Sequence, residues 1–442
     1  MKKITLPYGH EERVIEIPEE NLAWIEGPRL APPIPDIPDA VRHAIRNPIG
    51  SPTLAELVAH HGKRTLILID DSTRSTPQKL VLPILLDELN AAGVPDSEIS
   101  GMIALGTHRW MSDTEIAARV GDAVLRRIPV TNMSHKSEDF VDLGITPLGI
   151  PIHVSRRYLE TPITIAVGNI IPHMYAGWAG GAKMVQPGVT SAVTTGRTHL
   201  IAGPRVYEIL GNVDNEVRKE MEAIAVQSGL KFIVNVVLDA GGMVAGVVAG
   251  DVVKAHRAGV EIARPIYTIE LSERPDIVVA SSHPADRDLW QGFKPVNNCG
   301  MLAKDGGTLI LLIPAPEGIA PDHTLLVDLG TTPGDDVQAL VDQGKVHDEV
   351  AAATYLAFDQ TRKRLNITLV SDGIPDSEAR KIGITATTDF NSALRSALAR
   401  HGSNARIGVI TAGADIMATF TRKESEDFIE LGKESHVAEI LQ

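Results

Sequence analysis

The stretch RTLILIDDSTRSTP, Arg64 to Pro77, decides the fold. Its opening run, Arg64 to Asp70, is apolar between charged ends, the pattern of a parallel strand buried on both faces. The polar loop DDSTRSTP follows. A helix is predicted from Pro77 to Ala92, with Ser75 or Thr76 as N-cap, Pro77 in the first turn and Pro83 as a kink. The same grammar returns twice. A strand over Ile99 to Leu105 runs into GTHRWMSDTE, where Ser112 and Glu115 have capping-box spacing for a helix through Val120. A strand over Ile163 to Val167 runs into GNIIPHMYAGWAGGAKMVQPGVTSAVTTGRTHL, Gly168 to Leu200. Strand, polar loop and helix in repeated succession point to an α/β domain with a largely parallel sheet.

In open sheets of this kind, ligands bind beyond the carboxyl ends of the strands. Asp71, Arg74, His108, His173 and Lys183 all fall at such ends, so residues distant in sequence are expected along one edge. Helix N-termini at that edge add positive potential suited to a phosphate or carboxylate.

Toward the N-terminus, Ile4 to Pro7 and Arg13 to Ile17 read as a strand pair. The arm GPRLAPPIPDIPDAVRHAIRNPIG is too rich in proline for a continuous helix, and a short helix is predicted from Pro38 to Arg46. Beyond Leu200, Lys231 to Leu238 is a strand, GGMVAGVVAGD a strand and turn, and Val252 to Ala263 a helix. The pattern restarts around Arg264 to Asp276. A strand at Ile277 to Ala280, a helix near Asp288 to Ala303 and strands at Thr308 to Ile313, Asn366 to Val370 and Arg406 to Thr411 read as a second, smaller α/β unit. After its first strand, SSHPADRDLWQGFK carries His283, Asp286, Arg287, Gln291 and Lys294. Two such units with their active edges opposed make a cleft.

A formal net charge of −14 argues against general affinity for nucleic acid or anionic membranes, which need a basic surface. Any anion site must be local. Cys299 is the single cysteine, which excludes an intrachain disulfide framework and a cysteine-based zinc site and fits a reducing compartment. The N-terminus meets acidic residues before any apolar stretch, unlike a signal peptide, and no run approaches the roughly 18 apolar residues of a membrane span. The expected location is the cytoplasm.

Several familiar chemistries fail on inspection. Around Lys183, Ala182 and Met184 break the Walker pattern. No G-x-G-x-x-G follows a strand, and neither a G-x-S-x-G elbow nor an H-E-x-x-H helix is present. What remains is Lys183 in a loop whose Gly177, Gly180 and Gly181 let the backbone approach a ligand closely, with histidines on separate segments. The lysine can bind phosphate, form a Schiff base or anchor a cofactor covalently. The histidines suit acid–base work at neutral pH. His199, in a helix predicted over Thr190 to Ile201, can ligate a metal, but one histidine is not a metal site, so further ligands must come from outside the protein. Arg74 and Lys294 are natural carboxylate clamps, and Asp71 can orient Arg74 or accept from a ribose hydroxyl. The plain alternatives are a helix cap with a surface ion pair at DDSTRSTP and a solvated helix face at Gln291 and Lys294.

Taken in order, DDSTRSTP, GTHR, PHMYAGWAGGAKMVQPG, TTGRTH and DLWQGFK resemble the nickel-dependent lactate racemase family over nearly the whole chain. The resemblance implies a nickel pincer nucleotide, derived from nicotinate, tethered to Lys183 and loaded by separate maturation enzymes. It implies that Asp71, Thr73, Gly180 and Gly181 bind this cofactor, and that His199 completes a metal site whose other donors the cofactor supplies. His108 and His173 would flank the substrate, while Arg74 and Lys294 hold its carboxylate with Gln291 assisting. The implied reaction is inversion at C2 of a small 2-hydroxy acid by reversible hydride transfer, as a racemase or epimerase acting on lactate or another such acid. Family members set an aromatic residue from the middle of the second domain against the substrate. Trp24, Trp110, Trp178 and Trp290 lie outside Gly330 to Val370, leaving Tyr355 and Phe358 as candidates. On this reading, residues 1–268 form the cofactor-binding catalytic domain and residues 269–412 a C-terminal α/β domain. Residues 413–442 form a helical segment packing back on the first domain. The competing functions are a Schiff-base lyase or aldolase using Lys183 and a non-catalytic nucleotide or metal carrier.

Overall fold

The structure, a computed structural model, describes residues 1–420. Twelve strands build its two large sheets. In chain order they are β1 (Leu22–Glu26), β2 (Thr65–Ile69), β3 (Ile99–Ile103), β4 (Val130–Asn132), β5 (Ile163–Asn169), β6 (Phe232–Leu238) and β7 (Val244–Gly250), then β8 (Ile277–Ser281), β9 (Thr308–Leu312), β10 (Asn366–Val370), β11 (Thr385–Thr387) and β12 (Ile407–Ile410). The first sheet has the order β7-β6-β5-β2-β3-β4, parallel except for β7. The second, β11-β10-β9-β8-β12-β1, is parallel throughout.

The apolar runs of the sequence are buried on both faces, as parallel sheets require. In β2, Ile67 and Ile69 pack with Val81, Leu82, Leu85 and Leu89 of the helix Gln78–Ala91. The alternate residues Leu66 and Leu68 join Val217, Met221 and Ile224 of the helix Glu216–Gln227 on the other face. In β8, Val278 and Ala280 share a core with Phe293 of the helix Leu289–Gly300 and Phe358 of the helix Glu349–Arg364. Ile277 and Val279 face the opposite way, against Ile4, Leu6, Ile15 and Ile17 and the helix Phe390–His401.

The chain therefore begins in the second unit. The antiparallel hairpin Lys2–Tyr8 with Glu11–Ile17 covers one face of the second sheet, and β1 pairs with β12 at its edge. The division drawn at residue 268 follows chain order, whereas these strands are grouped by pairing. The helix read to Ala263 continues as Lys254–Tyr267 with Pro265 inside it. A helical reading from residue 413 is corrected for the part described. Met417–Phe420 is a strand parallel to Thr268–Leu271, and β-branched and aromatic side chains at Ile269, Thr419 and Phe420 suit that pairing. Residues 421–442 lie outside the described residues.

The capping box at Ser112 and Glu115 is present, with Glu115 accepting from the Ser112 amide at 2.7 Å. The cap of the helix Gln78–Ala91 differs from expectation. Its N-cap is Pro77, because the Thr76 hydroxyl is drawn instead to the Asp70 carboxylate, which also accepts from Gln78 Nε2 at 2.8 Å. The predicted helix around His199 is Ala192–Ala202, capped by Ser191. It packs against Glu349–Arg364 at Gly203, where a Cβ would lie 2.8 Å from the Ala353 carbonyl oxygen. This contact joins the two units.

Candidate active site

In the first sheet, β2, β3 and β4 step outward in one direction while β5 lies on the other side of β2. The reversal opens a crevice past the carboxyl ends of β2 and β5, the usual ligand position in such sheets. One cavity there is lined by Asp71, Arg74, His108, His173, Gly180, Lys183 and His199 from the first unit and Gln291 and Lys294 from the second. Thr73 and Gly181 are not among the residues that line it.

Asp71 organises the loop after β2. It accepts from the Thr73 amide at 2.9 Å and from the Thr73 hydroxyl, and Arg74 Nη1 donates to that hydroxyl at 3.0 Å. The other Asp71 oxygen accepts from His108 Nδ1. Burial alone would raise the Asp71 carboxyl, yet His108, Arg74 and Thr73 hold it well below the carboxylate range. The His108 ring thus carries its proton on Nδ1. Its Nε2 lies 3.5 Å from Gln291 Nε2 across the cleft and is free to accept a proton.

His173 sits on the short antiparallel pair Pro172–His173 and Gly177–Trp178, following β5. Its Nδ1 accepts from the Tyr175 amide at 3.2 Å, so a neutral ring presents N–H at Nε2. Burial first, then the nearby Lys183, Lys294 and Arg74, keep its imidazolium form well below its ordinary pKa.

The loop bearing Lys183 rests on buried polar groups. Gly181 N–H donates to Asn235 Oδ1 at 2.9 Å, Arg218 donates to the Trp178 carbonyl at 3.0 Å, and His256 Nε2 meets the Ala179 carbonyl at 2.8 Å. Gly181 has φ 57°, and a Cβ there would lie 2.9 Å from Arg218 Nη2, so the position demands glycine. Burial, then Arg74 and Lys294, push the Lys183 ammonium well below its ordinary value and favour a nucleophilic free amine.

His199 Nδ1 donates to the Thr195 carbonyl one helical turn back, at 2.8 Å. Its ring packs edge-on to Tyr175 with centroids 4.5 Å apart. Burial first, then Lys183, lower its pKa to about 3. The result is a fixed neutral imidazole with Nε2 available as a metal donor. Among the described residues, no group of three or more His, Cys, Asp or Glu could hold a metal ion.

The second unit contributes two helices. Leu289–Gly300, capped by Asp288, carries Trp290, Gln291, Phe293 and Lys294. Burial, reinforced by Arg74, lowers the Lys294 ammonium to about 8 against the opposing pull of Asp415 and Asp71. Glu349–Arg364 brings Val350 and Thr354 to the cavity, where the Tyr175 hydroxyl donates to Thr354 Oγ1 at 3.3 Å.

The aromatic expectation is corrected. Tyr355 and Phe358 are buried in the core of the second unit, Tyr355 donating to the Thr332 carbonyl and Phe358 packing on Phe293. Trp290 lines the cavity instead, and Val350 and Thr354 are the residues that the helix Glu349–Arg364 turns toward it. His283 and Asp286 are not brought in; they pair with each other at 3.0 Å. Met174, Tyr175, Trp290, Phe293, Val350 and Thr354 were not singled out from sequence for this site. Only adjacency to His173 and Gln291 signalled some of them, since apolar and small residues on such elements read as core.

The fold and cavity define an enzyme of two α/β units, with paired histidines beside a cluster of cations at their shared edge. A model of the lactate racemase N-terminal domain matches residues 8–205. The lactate racemase of Thermoanaerobacterium thermosaccharolyticum is 27% identical over 430 residues, covering 94% of this chain and 99% of that protein. That of Lactiplantibacillus plantarum is 27% identical over 436 residues, covering 94% of this chain and all of that protein. The solved lactate racemase apoprotein from T. thermosaccharolyticum matches with a TM-score of 0.83 at 26% identity, covering 95% of this chain and 100% of that one. A Thermotoga maritima crystal structure shares the fold at a TM-score of 0.68 and 20% identity, covering 88% of this chain and 100% of that one. Residues 8–205 match the N-terminal domain of lactate racemases, and the chain is similar to two lactate racemases over nearly its whole length; it is an isomerase. Among the described residues, no helix is long and apolar enough to cross a membrane.

Proposed function

We propose that the protein is a racemase or epimerase inverting C2 of a small 2-hydroxy carboxylic acid, using a nickel pincer nucleotide tethered to Lys183. The observation that carries this reading is that Lys183, whose ammonium form is disfavoured by its surroundings, lines one cavity with a lone, pre-oriented histidine, His199. The lysine suits covalent attachment, and the histidine suits a metal whose other donors arrive with the attached group. Asp71, Thr73, Gly180 and Gly181 would hold the nucleotide. Bound there, the cofactor would supply a hydride acceptor and donor beside substrate C2.

The rest of the chemistry belongs to this chain. Arg74 and Lys294 bind the substrate carboxylate, Arg74 as a fork and Lys294 as a point charge, with Gln291 assisting. Asp71 holds His108 with Nε2 free to take the hydroxyl proton, and the imidazolium that forms is stabilised by the carboxylate beside it. His173 takes the matching role for the other enantiomer, whose hydroxyl points to the opposite side; acting as base there requires the Nδ1-protonated tautomer, so the contact from the Tyr175 amide to Nδ1 must be released. Trp290, Phe293 and Met174 exclude water from the keto acid. Maturation enzymes that build and load the cofactor are the implied partners.

Intact mass and metal analysis of protein co-expressed with cofactor-building enzymes test the reading, followed by chiral analysis of a hydroxy-acid panel. Added mass on the Lys183 peptide and stoichiometric nickel are expected. Full racemase activity with an unmodified lysine would sink it. The lowered Lys183 ammonium also favours a second reading, Schiff-base chemistry with a keto acid. Borohydride trapping of substrate on Lys183 would select it.

A further inference from the structure

The cavity just described adjoins a second one of about 690 Å³, and Gly106, Thr107 and Val350 line both. Trp290 lines the first but not the second, and His323 the second but not the first. The two rings are stacked, with centroids 3.9 Å apart and planes 19° from parallel. The pair therefore forms a partition between the cavities. Both rings are held from behind. The Leu289 and Trp290 amides donate to the Gly318 and Ile319 carbonyls at 2.9 and 2.7 Å, and the His323 amide donates to Ala320 at 3.1 Å, so the two ring-bearing segments are fastened together along their backbones. His323 Nδ1 donates to Asp348 Oδ2 at 2.8 Å, while Asp348 Oδ1 accepts from the Ala351 amide at 2.9 Å and caps the helix Glu349–Arg364. One carboxylate thus ties the His323 ring to the helix that brings Val350 and Thr354 to the first cavity.

We propose that His323 is a positioning residue that sets substrate size: braced by Asp348, it holds Trp290 across the passage between the cavities and confines the substrate side chain to the first. The inference rests on the racemase reading above, in which Arg74 and Lys294 fix the carboxylate in the first cavity and leave the chain beyond C2 to meet the partition. His323 itself does not touch the substrate; it acts through Trp290. A lone side chain at a cavity wall can change rotamer to admit a longer ligand. Here that movement breaks the ring stack, and displacing the second ring also breaks the bond to Asp348, so the wall resists. In an apolar pocket, a difference of one methylene is worth about 10- to 200-fold in discrimination. Removing the His323 ring leaves Trp290 free to swing into the vacated space and joins the two cavities.

The test compares lactate with 2-hydroxyhexanoate, by calorimetric binding to the unloaded full chain and by kcat/KM of the cofactor-loaded enzyme, with thermal midpoints checking that each variant folds. The variants are His323→Ala, His323→Phe, which keeps a ring to stack on Trp290, and Asp348→Ser, which keeps a preferred helix cap but withdraws the acceptor from His323. In both assays His323→Ala is expected to raise the ratio of 2-hydroxyhexanoate to lactate by about tenfold or more, Asp348→Ser to raise it in the same direction, and His323→Phe to leave it near its natural value. An unchanged ratio in His323→Ala overturns the proposal. So does a His323→Phe variant as permissive as His323→Ala, since a ring would then not be what closes the passage. If His323→Ala fails to fold, Asp348→Ser decides, and an unchanged ratio there overturns the proposal as well. A shift seen in the unloaded chain but absent from the loaded enzyme overturns it too, because the cofactor would then occupy the joined space. A shifted binding ratio with no turnover of either acid keeps the partition and rejects the racemase reading, whereas turnover with both ratios unmoved does the reverse.

Discussion

His108 is held by Asp71, 37 positions away, which fixes its proton on Nδ1 and leaves Nε2 as the base in the proposed reaction. Asp71→Asn keeps the shape but offers His108 an amide, and the ring is then free to take the wrong tautomer. A loss of kcat of about 10²- to 10⁴-fold with KM changed far less is expected in steady-state racemisation assays. In the proposed reaction, Lys294 is expected to set a different limb of the pH profile. Its pKa is lowered to about 8, so it is charged below that pH and loses its charge as pH rises through it. Since a neutral Lys294 no longer attracts the substrate carboxylate, kcat/KM is expected to fall above pH about 8. Asp415 opposes the lowering, so Asp415→Asn moves that fall to lower pH; an unmoved limb would assign it to another group. Titratable residues at strand ends were legible because polar side chains there break an apolar pattern. Thr354 and Val350 were not, since the stretch Val350 to Phe358 is small or apolar nearly throughout and gives no sign of which face meets a cavity.

Among elements, the strands were the most legible, because burial on both faces leaves an uninterrupted apolar run that needs no partner to be recognised. Caps were less so, since a hydroxyl is shared between competing acceptors: Ser112 caps its helix, while Thr76 is taken by Asp70. Helix contacts are set by what is absent from the side chain. At Gly203 the helix Ala192–Ala202 ends against Ala353, and a methyl group there would sit 2.8 Å from a backbone oxygen that cannot rotate away. Gly203→Ala is expected to push the helix Glu349–Arg364 outward, at a cost of about 1–3 kcal/mol. Because Thr354 rides on that helix and His199 on its neighbour, the variant should lower the thermal midpoint and raise KM together. A lower midpoint with unchanged KM would show that the two helices yield without disturbing the site.

At the scale of the whole molecule, the order of the chain and the grouping of its strands part company. Regular strand-loop-helix succession revealed two α/β units, but it could not show which sheet an N-terminal hairpin would join, since both offer apolar faces of the same composition. The chain starts on the second unit, crosses to build the first, and returns, so β1 closes the edge beside β12 and Leu6 and Ile17 cover Val279 and Leu312. Residues 269–420 expressed alone would therefore carry an unpaired edge strand and a bare apolar sheet face, both of which promote aggregation. Joining residues 1–26 after residue 420 through a flexible linker restores the missing strands without the first unit. The rearranged chain is expected to be soluble, monodisperse by size-exclusion chromatography and cooperative in thermal unfolding, while the bare piece aggregates. Equal solubility of the two would mean that the hairpin is not what shields this sheet, and that contacts with the first unit are dispensable as well.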